Sequence, residues 1–254
     1  QDFLNAIQSN TKAVVMTHAS NVCGTILDLE AVGRICREKG IFFIIDSAQT
    51  AGFLDIDFNG LNADAIGFTG HKSLLGPQGI GGFVINDKLA NIMDTFIEGG
   101  TGSLSDSEYQ PNYMPDKFES GTLNIPGIFG LNASLKYVLN EGLESIREKE
   151  LLLLDRFMQG IYDMNGVEII GKKSYIGRTG IVSLDFVNQD NGLISHELDK
   201  AYGIMTRCGM HCAPSAHQTL GTFPRGTVRF GLSHFNTLDE IDYTISSIKK
   251  IINK

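Results

Sequence analysis

Two apolar runs in the first half of the chain end in polar residues that could act on one ligand. Asp46 follows the run at residues 41–45, and Lys72 follows the run at residues 64–69. Open α/β sheets bind ligands beyond the carboxyl ends of their strands, so an acid and an amine there would face one crevice. An aspartate can keep a pyridine nitrogen protonated, and a lysine can form a Schiff base. A strand-end salt bridge or two solvated loop charges would account for the same spacing.

A second group that could do chemistry surrounds Cys212 in the second half of the chain. Beside His211 and near Arg207, this cysteine could be held partly as a thiolate, which can attack the sulfur of a bound substrate. A buried, inert cysteine is the alternative that applies to any lone cysteine. Zinc is a third interpretation, because Cys208 and His217 add further soft ligands, but their spacing fits no familiar zinc pattern. We therefore predict no metal site.

The elements that would position Asp46 and Lys72 alternate between strands and a helix. Strands are predicted at residues 13–17, 41–45, 64–69 and 80–85, and a helix at residues 28–39. This order predicts an open α/β sheet, and the continuous apolar run at 41–45 is typical of a strand buried on both faces.

The second half of the chain has a different pattern. A loop-like segment at 99–124 precedes a largely helical region at 127–164, in which Gly142 argues against one unbroken helix. Further strands are predicted near 180–187, 203–207 and 227–233, and helices near 193–202 and 238–252. We predict two domains: a large one at residues 1–140, and residues 141–254 as a linking helix with a small domain.

Composition excludes several classes of protein. The chain of 254 residues carries a formal net charge of −8, which argues against a nucleic acid or an anionic membrane as its partner. No apolar run is long enough to span a bilayer. Four cysteines are too few for a disulfide framework in a chain of this length, so a cytoplasmic location is expected.

Several stretches resemble the class V aminotransferase family of enzymes that depend on pyridoxal 5'-phosphate (PLP). The family's two signature stretches resemble Asp-Ser-Ala-Gln at 46–49 and the segment Gly-His-Lys-Ser that begins at Gly70. Residues 17–25, 118–124 and 227–237 resemble further family segments, so the likeness runs from about residue 10 to 245. It implies the α/β fold of PLP-dependent transferases (fold type I), with a mostly parallel sheet in the large domain and a smaller C-terminal α+β domain.

The resemblance also implies which residues bind the cofactor. It makes Lys72 the Schiff-base lysine and Asp46 the partner of the pyridinium nitrogen. The other implied contacts are Gln49 at the phenolate oxygen, Thr69 and His71 at the phosphate, Asn21 near the cofactor and the substrate carboxylate, and Thr101 at the phosphate of a neighbouring subunit in a homodimer.

Residues 207–213 resemble the segment around the catalytic cysteine of cysteine desulfurases and selenocysteine lyases. The likeness makes Cys212 the catalytic cysteine, Arg229 the clamp for the substrate carboxylate, and Cys208 a bystander. It implies that cysteine or selenocysteine is the substrate, that alanine is the product, and that the enzyme persulfide passes its sulfur to an acceptor, such as a protein.

Two alternatives to a desulfurase remain open. The first is a class V aminotransferase or lyase that uses no persulfide. The second is an inactive fragment, because relatives carry an N-terminal segment with a ring-stacking histidine, which we expect this chain to lack.

Overall fold

The structure is a computed structural model that describes residues 2–100 and 102–253. The chain divides into two units. The first unit comprises Gln1–Met16, Glu30–Asp46 and Ile56–Tyr137, and the second comprises Thr17–Leu29, Ser47–Asp55 and Val138–Lys254. Two short segments of the first half thus belong to the second unit. The division into domains at 1–140 and 141–254 stays a prediction.

The first half of the chain contains one sheet and several helices. Its elements are α1 (Asp2–Ala6), β1 (Ala13–Thr17), α2 (Leu29–Lys39), β2 (Phe42–Asp46), β3 (Ala65–Thr69), β4 (Gly81–Ile85), α3 (Asp87–Ile92), a 3₁₀ helix (Asp116–Phe118) and α4 (Ile125–Glu141). The strands pair in the order β1-β2-β3-β4, with β2 parallel to β3 and β4 antiparallel to β3. The predicted helix and four strands are confirmed to within one residue, whereas α1 and α3 were not predicted.

Burial along β2 differs from the expectation. Phe43 and Ile45 are buried, but Phe42 and Ile44, which point to the other face because side chains alternate along a strand, are only half-buried. The prediction that this strand is buried on both faces is therefore wrong for the described residues. The helix before it packs closely: a Cβ added to Gly33 of α2 would lie 1.9 Å from the carbonyl oxygen of Leu61.

The second half of the chain contains an antiparallel sheet. Its elements are α5 (Leu143–Tyr162), β5 (Val167–Ile170), β6 (Ile181–Phe186), α6 (Asn191–Tyr202), β7 (Arg207–Gly209), α7 (Pro214–Thr219), β8 (Thr227–Gly231) and α8 (Leu238–Ile252). The sheet order is β5-β6-β8-β7, and every neighbouring pair is antiparallel. Helices α5, α6 and α8 pack against it in a shared core that includes Phe157, Leu184 and Phe230.

Glycines explain two boundaries in this half. The helical region breaks at Gly142, whose φ of 84° is left-handed, so α4 and α5 are separate helices as predicted. Gly203 ends α6 with a φ of 67°, and β7 therefore begins at Arg207, later than the predicted strand at 203–207. Strand β5 and the short helix α7 were not predicted. No helix in the described part of the chain has both the length and the apolar character needed to cross a membrane.

Candidate active site

The structure brings the carboxyl ends of β2 and β3 to the same edge of the first sheet. Asp46 is the last residue of β2 and pairs with Gly67 of the parallel strand β3. Strand β3 ends two residues later at Thr69, and Lys72 lies in the turn that follows. Because parallel strands end on the same side, the acid and the lysine belong to one edge of the sheet, as the sequence predicted. Their roles towards a cofactor stay predictions.

Backbone hydrogen bonds shape the turn that carries Lys72. The Gly70 N–H donates to the Ile80 carbonyl at 2.9 Å, and the Gly76 N–H donates to the Gly70 carbonyl at 2.7 Å. Within the turn, the Leu75 N–H donates to the Lys72 carbonyl at 2.8 Å. A Cβ on Gly70 would lie 2.8 Å from Cγ2 of Ile80, which indicates why glycine occurs at the base of the turn. Lys72 itself is half-buried.

The predicted phosphate ligands lie beside this turn. Thr69 Oγ1 and His71 Nδ1 are 2.9 Å apart and share a hydrogen bond. His71 is exposed and Thr69 half-buried, so a hydroxyl and an imidazole are both accessible at the strand end. Thr101, the predicted ligand to a neighbouring subunit's phosphate, lies outside the described residues.

Gln49 belongs to the second unit, in a turn directly after β2. The Thr50 N–H closes this turn on the Ser47 carbonyl at 2.9 Å. Thr50 also bonds to His18 Nδ1 at 3.0 Å, and burial lowers the pKa of His18. His18 therefore supports the turn that holds Gln49. The role of Gln49 at the phenolate oxygen stays a prediction.

Asn21 and Arg229 meet in the second unit although 208 residues separate them. Nη1 of Arg229, on β8, donates to the Asn21 carbonyl at 2.7 Å. Nδ2 of Asn21 donates to the His211 carbonyl at 2.7 Å. The proposed carboxylate clamp is thus bonded to the loop at Asn21, and that loop to the cysteine segment. Sequence motifs named Asn21 and Arg229 separately but indicated no bond between them.

Sequence reasoning missed two buried residues beside the Asn21 loop, Ser183 and Arg178. Ser183 Oγ donates to the Val22 carbonyl at 2.6 Å. Arg178 is fully buried and donates to the backbone carbonyls of Ile170 and Ile181. No sequence motif pointed to this arginine.

Arg178 also acts on Cys23, a buried thiol in the Asn21 loop. Burial raises the pKa of Cys23, but hydrogen bonds with Ser20 and Thr25 and the charge of Arg178 outweigh it and lower the pKa overall. Cys23 and Cys36 are buried, so neither thiol can act as an accessible nucleophile.

Cys212 is exposed, and its surroundings differ from the expectation in one respect. Arg207 Nη2 donates a hydrogen bond to its Sγ at 3.6 Å. His211, by contrast, is buried, and its pKa falls to about 4 because of desolvation, with smaller contributions from Arg229, His217 and Arg207. At neutral pH the imidazole is therefore uncharged, and Arg207 is the cation that contacts the sulfur. A thiolate at Cys212 would therefore depend on Arg207 and not on a charged His211.

Among the described residues, no group of three or more His, Cys, Asp or Glu side chains could hold a metal ion. This applies to the four residues considered for zinc: Cys208, His211, Cys212 and His217. His211 and His217 instead bond to threonine hydroxyls, at 2.9 and 2.7 Å.

Comparison with known proteins places the chain in a family. The sequence model of the class V aminotransferases matches residues 1–244, so the chain belongs to this family, whose members use PLP. Among curated proteins it is similar to a probable cysteine desulfurase of Methanothermobacter thermautotrophicus, with 33% identity over 97% of this chain and 62% of that protein. A probable cysteine desulfurase of Pyrococcus abyssi is 32% identical, over 95% of this chain and 60% of that protein.

Solved structures agree with this assignment. The apo structure of a cysteine desulfurase from Thermococcus onnurineus superposes with a TM-score of 0.89 at 31% identity, covering 95% of this chain and 60% of that one. A cysteine desulfurase from Escherichia coli gives a TM-score of 0.90 at 24% identity and shows the common fold. The predicted PLP-transferase fold is thereby confirmed. The chain spans about 60% of the length of these relatives.

Proposed function

We propose that this protein is a PLP-dependent cysteine desulfurase that converts L-cysteine to alanine and retains the sulfur as a persulfide on Cys212. The observation that carries the proposal is the exposed Cys212 with the guanidinium of Arg207 at its sulfur. An aminotransferase or lyase without sulfur chemistry would have no use for such a thiol, whereas a nucleophilic cysteine needs both access and a nearby cation.

The strand edge of the first unit fits the requirements of PLP. Asp46 supplies a carboxylate for the ring nitrogen, Thr69 and His71 supply hydrogen-bonding groups for the phosphate, and Lys72 supplies the amine for the aldehyde. When bound there, PLP would supply an electron sink for charge that develops on the substrate's α-carbon.

Arg229 suits the binding of the substrate carboxylate. A guanidinium has five N–H donors in a rigid fork. The hydrogen bond from Nη1 of Arg229 to the Asn21 carbonyl orients this group. Arg229 is half-buried, so water screens its charge less than that of a surface arginine. Asn21, held against the backbone of the cysteine segment, fixes where this carboxylate would sit. Orientation of this kind accounts for much of the rate of an enzyme reaction.

The sulfur step follows from the chemistry of Cys212. Its thiolate attacks the sulfur of the bound cysteine, so that a new S–S bond forms while the substrate's C–S bond breaks. The electron pair of the broken bond goes to the β-carbon of the substrate, which takes up one proton. This proton balances the one that the Cys212 thiol loses, and Nζ of Lys72 would carry it to the carbon. The products are alanine and a persulfide on Cys212, and Arg207 donates its hydrogen bond to the sulfur before the attack.

The proposal extends to partners. The exposure of Cys212 would let a sulfur acceptor, such as a protein, reach the persulfide. Selenocysteine is the second possible substrate, since the same attack on selenium needs no further residue. A homodimer and a cytoplasmic location stay predictions.

The experiment compares variants loaded with PLP. Cys212→Ala should keep the visible absorbance of lysine-bound PLP but lower sulfide release from cysteine at least about a hundredfold, because the nucleophile is gone. Cys208→Ala, four residues earlier in the same segment, is the matched control and should stay within about twofold of the parent. Lys72→Ala should lose both the absorbance and the activity.

Sulfide release at the parental rate by Cys212→Ala would show that the persulfide mechanism is wrong. Since the chain spans about 60% of the length of these relatives, the measurement should be repeated on a protein of their full length.

A further inference from the structure

The turn that carries Cys212 has an unfavourable backbone. The Ala213 N–H donates to the Met210 carbonyl at 2.9 Å, and the two central residues, His211 and Cys212, have φ values of 49° and 60°. Positive φ at both central positions is the requirement of a type I′ turn, which favours glycine, asparagine and aspartate. For other residues each left-handed conformation costs about 1–2 kcal/mol. Contacts outside the turn must therefore hold it.

The side chain of His211 supplies one such contact. Its ring is buried, and Nε2 lies 2.9 Å from Oγ1 of Thr227, the fully buried first residue of β8. Nδ1 is also buried and has no hydrogen-bond partner among the described residues. Because a buried N–H without a partner is rarer than a buried acceptor without one, the proton belongs on Nε2 and is donated to Thr227. The ring anchors the turn to the strand.

The main chain of His211 supplies the second contact. Its carbonyl accepts the bond from Nδ2 of Asn21, and the Asn21 carbonyl accepts the bond from Nη1 of Arg229. Arg229 stands two residues after Thr227 on β8, so these bonds close a ring of four residues: Thr227, His211, Asn21 and Arg229. The bonds fix the position of the thiol turn relative to the arginine.

We propose that His211 is a positioning residue, which holds the strained turn so that Cys212 stays at Arg207 and at a set distance from Arg229. The inference deepens the proposed desulfurase function and rests on it, because a fixed distance between thiol and carboxylate clamp matters only if the thiol attacks a substrate bound by its carboxylate. The turn geometry that His211 maintains can be measured without that reaction.

The chain offers a matched control. His217 is also buried, its ring centroid lies 5.6 Å from that of His211, and its Nδ1 bonds to Oγ1 of the buried Thr222 at 2.7 Å. This second histidine–threonine pair has no part in the ring of bonds that includes Asn21 and Arg229. Removing the hydroxyl of Thr222 therefore measures the effect of losing a buried hydrogen bond that lies outside this ring.

The test removes one hydroxyl at a time and leaves shape and burial nearly unchanged. Thr227→Val should raise the hydrogen-exchange rate of the Ala213 amide about fivefold, the effect of losing one buried hydrogen bond of about 1 kcal/mol. Thr222→Val should change that rate less than about twofold. In the PLP-loaded protein, Thr227→Val should lower kcat for alanine formation about fivefold and leave KM for cysteine within about twofold, because Arg229 is retained.

His211 itself is tested by a pair of substitutions. His211→Leu should reproduce the effect of Thr227→Val on the Ala213 amide, and His211→Gln, which keeps a donor near the position of Nε2, should restore at least half of the protection. The proposal is overturned if Thr227→Val leaves exchange of Ala213 unchanged, or if Thr222→Val raises it equally. If Cys212→Ala keeps full sulfide release while the exchange results hold, the desulfurase assignment fails, and the anchoring of the turn by His211 stands.

Discussion

The two groups of candidate site residues are held in place by different kinds of interaction. In the first unit, Asp46 and Lys72 owe their positions to strand pairing and to backbone hydrogen bonds within one short turn. In the second unit, Arg229 and the Cys212 segment are positioned through Asn21, by bonds between residues about 200 positions apart. Sites of the first kind follow from local patterns, whereas sites of the second kind depend on how the whole unit packs.

The units also differ in the apolar core that their described residues form. The second unit has a continuous core in which Leu154, Phe157 and Ile161 of α5 are essentially inaccessible to solvent. Both units expose large apolar side chains, among them Phe96 at 98% and Phe129 at 70% in the first unit and Met205 at 87% in the second. Exposed apolar surface of this kind is typical of contact surfaces, and it supports the homodimer prediction without testing it. The contrast predicts that stability depends mainly on the second unit.

Substitution of one phenylalanine in each unit tests this contrast and has the largest expected effect. Phe157→Ala should lower the free energy of unfolding by about 3–5 kcal/mol, because it leaves a cavity beside Phe230, whose ring centroid lies 5.1 Å away. Phe96→Ala, at an exposed position, should change it by less than about 0.5 kcal/mol. Urea unfolding followed by circular dichroism measures both. Equal effects would contradict either the close packing of Phe157 or the exposure of Phe96.

A smaller effect is expected at Arg178, which is fully buried in the second unit. Arg178→Met should lower the free energy of unfolding by about 2–4 kcal/mol, because it leaves buried carbonyls, including that of Ile181, without their donor. The control is Arg156→Met, which removes an exposed arginine paired with Asp242 at 2.6 Å and should cost at most about 1 kcal/mol. An Arg178→Met protein as stable as the control would show that the buried bonds of this arginine add no more to stability than an exposed ion pair does.

The smallest effect is a pH dependence in the second unit. Burial raises the pKa of Glu150 to about 7, although the N–H of His234 donates to its carboxylate and opposes the rise. In the unfolded chain the pKa is close to the ordinary 4.5. Folding therefore favours the protonated form, and its contribution to stability is present at acid pH and is lost as the pH rises through about 7.

Raising the pH from about 5.5 to about 8 ionises Glu150 in the folded protein. This change should lower the free energy of unfolding by about 2 kcal/mol. The buried histidines, whose pKa values are lowered, act with the opposite sign, so the measurement is the difference between the parent and Glu150→Gln, which keeps the acceptor for the His234 N–H. If both proteins show the same pH dependence of urea unfolding, Glu150 is not the group responsible.

Most elements could be predicted because their signals are local. The apolar run of β2, the amphipathic stripe of α2 and the break at Gly142 each lie within a few residues of the structure they determine. The short elements β5 and α7 were missed, since four and six residues carry too little periodicity to stand out. Strand β7 was misplaced because the left-handed Gly203 ends α6 before extended backbone can begin.

The sequence by itself determined that an acid and a lysine end neighbouring strands, and that Cys212 stands in a segment typical of a reactive cysteine. Both are properties of short stretches, in which the order of side chains decides the local backbone. Only the tertiary structure decided that Arg207, and not His211, contacts the thiol, and that Asn21 connects the thiol turn to Arg229. Burial of one imidazole and bonds across 190 and 208 residues arise from packing, which no local pattern encodes.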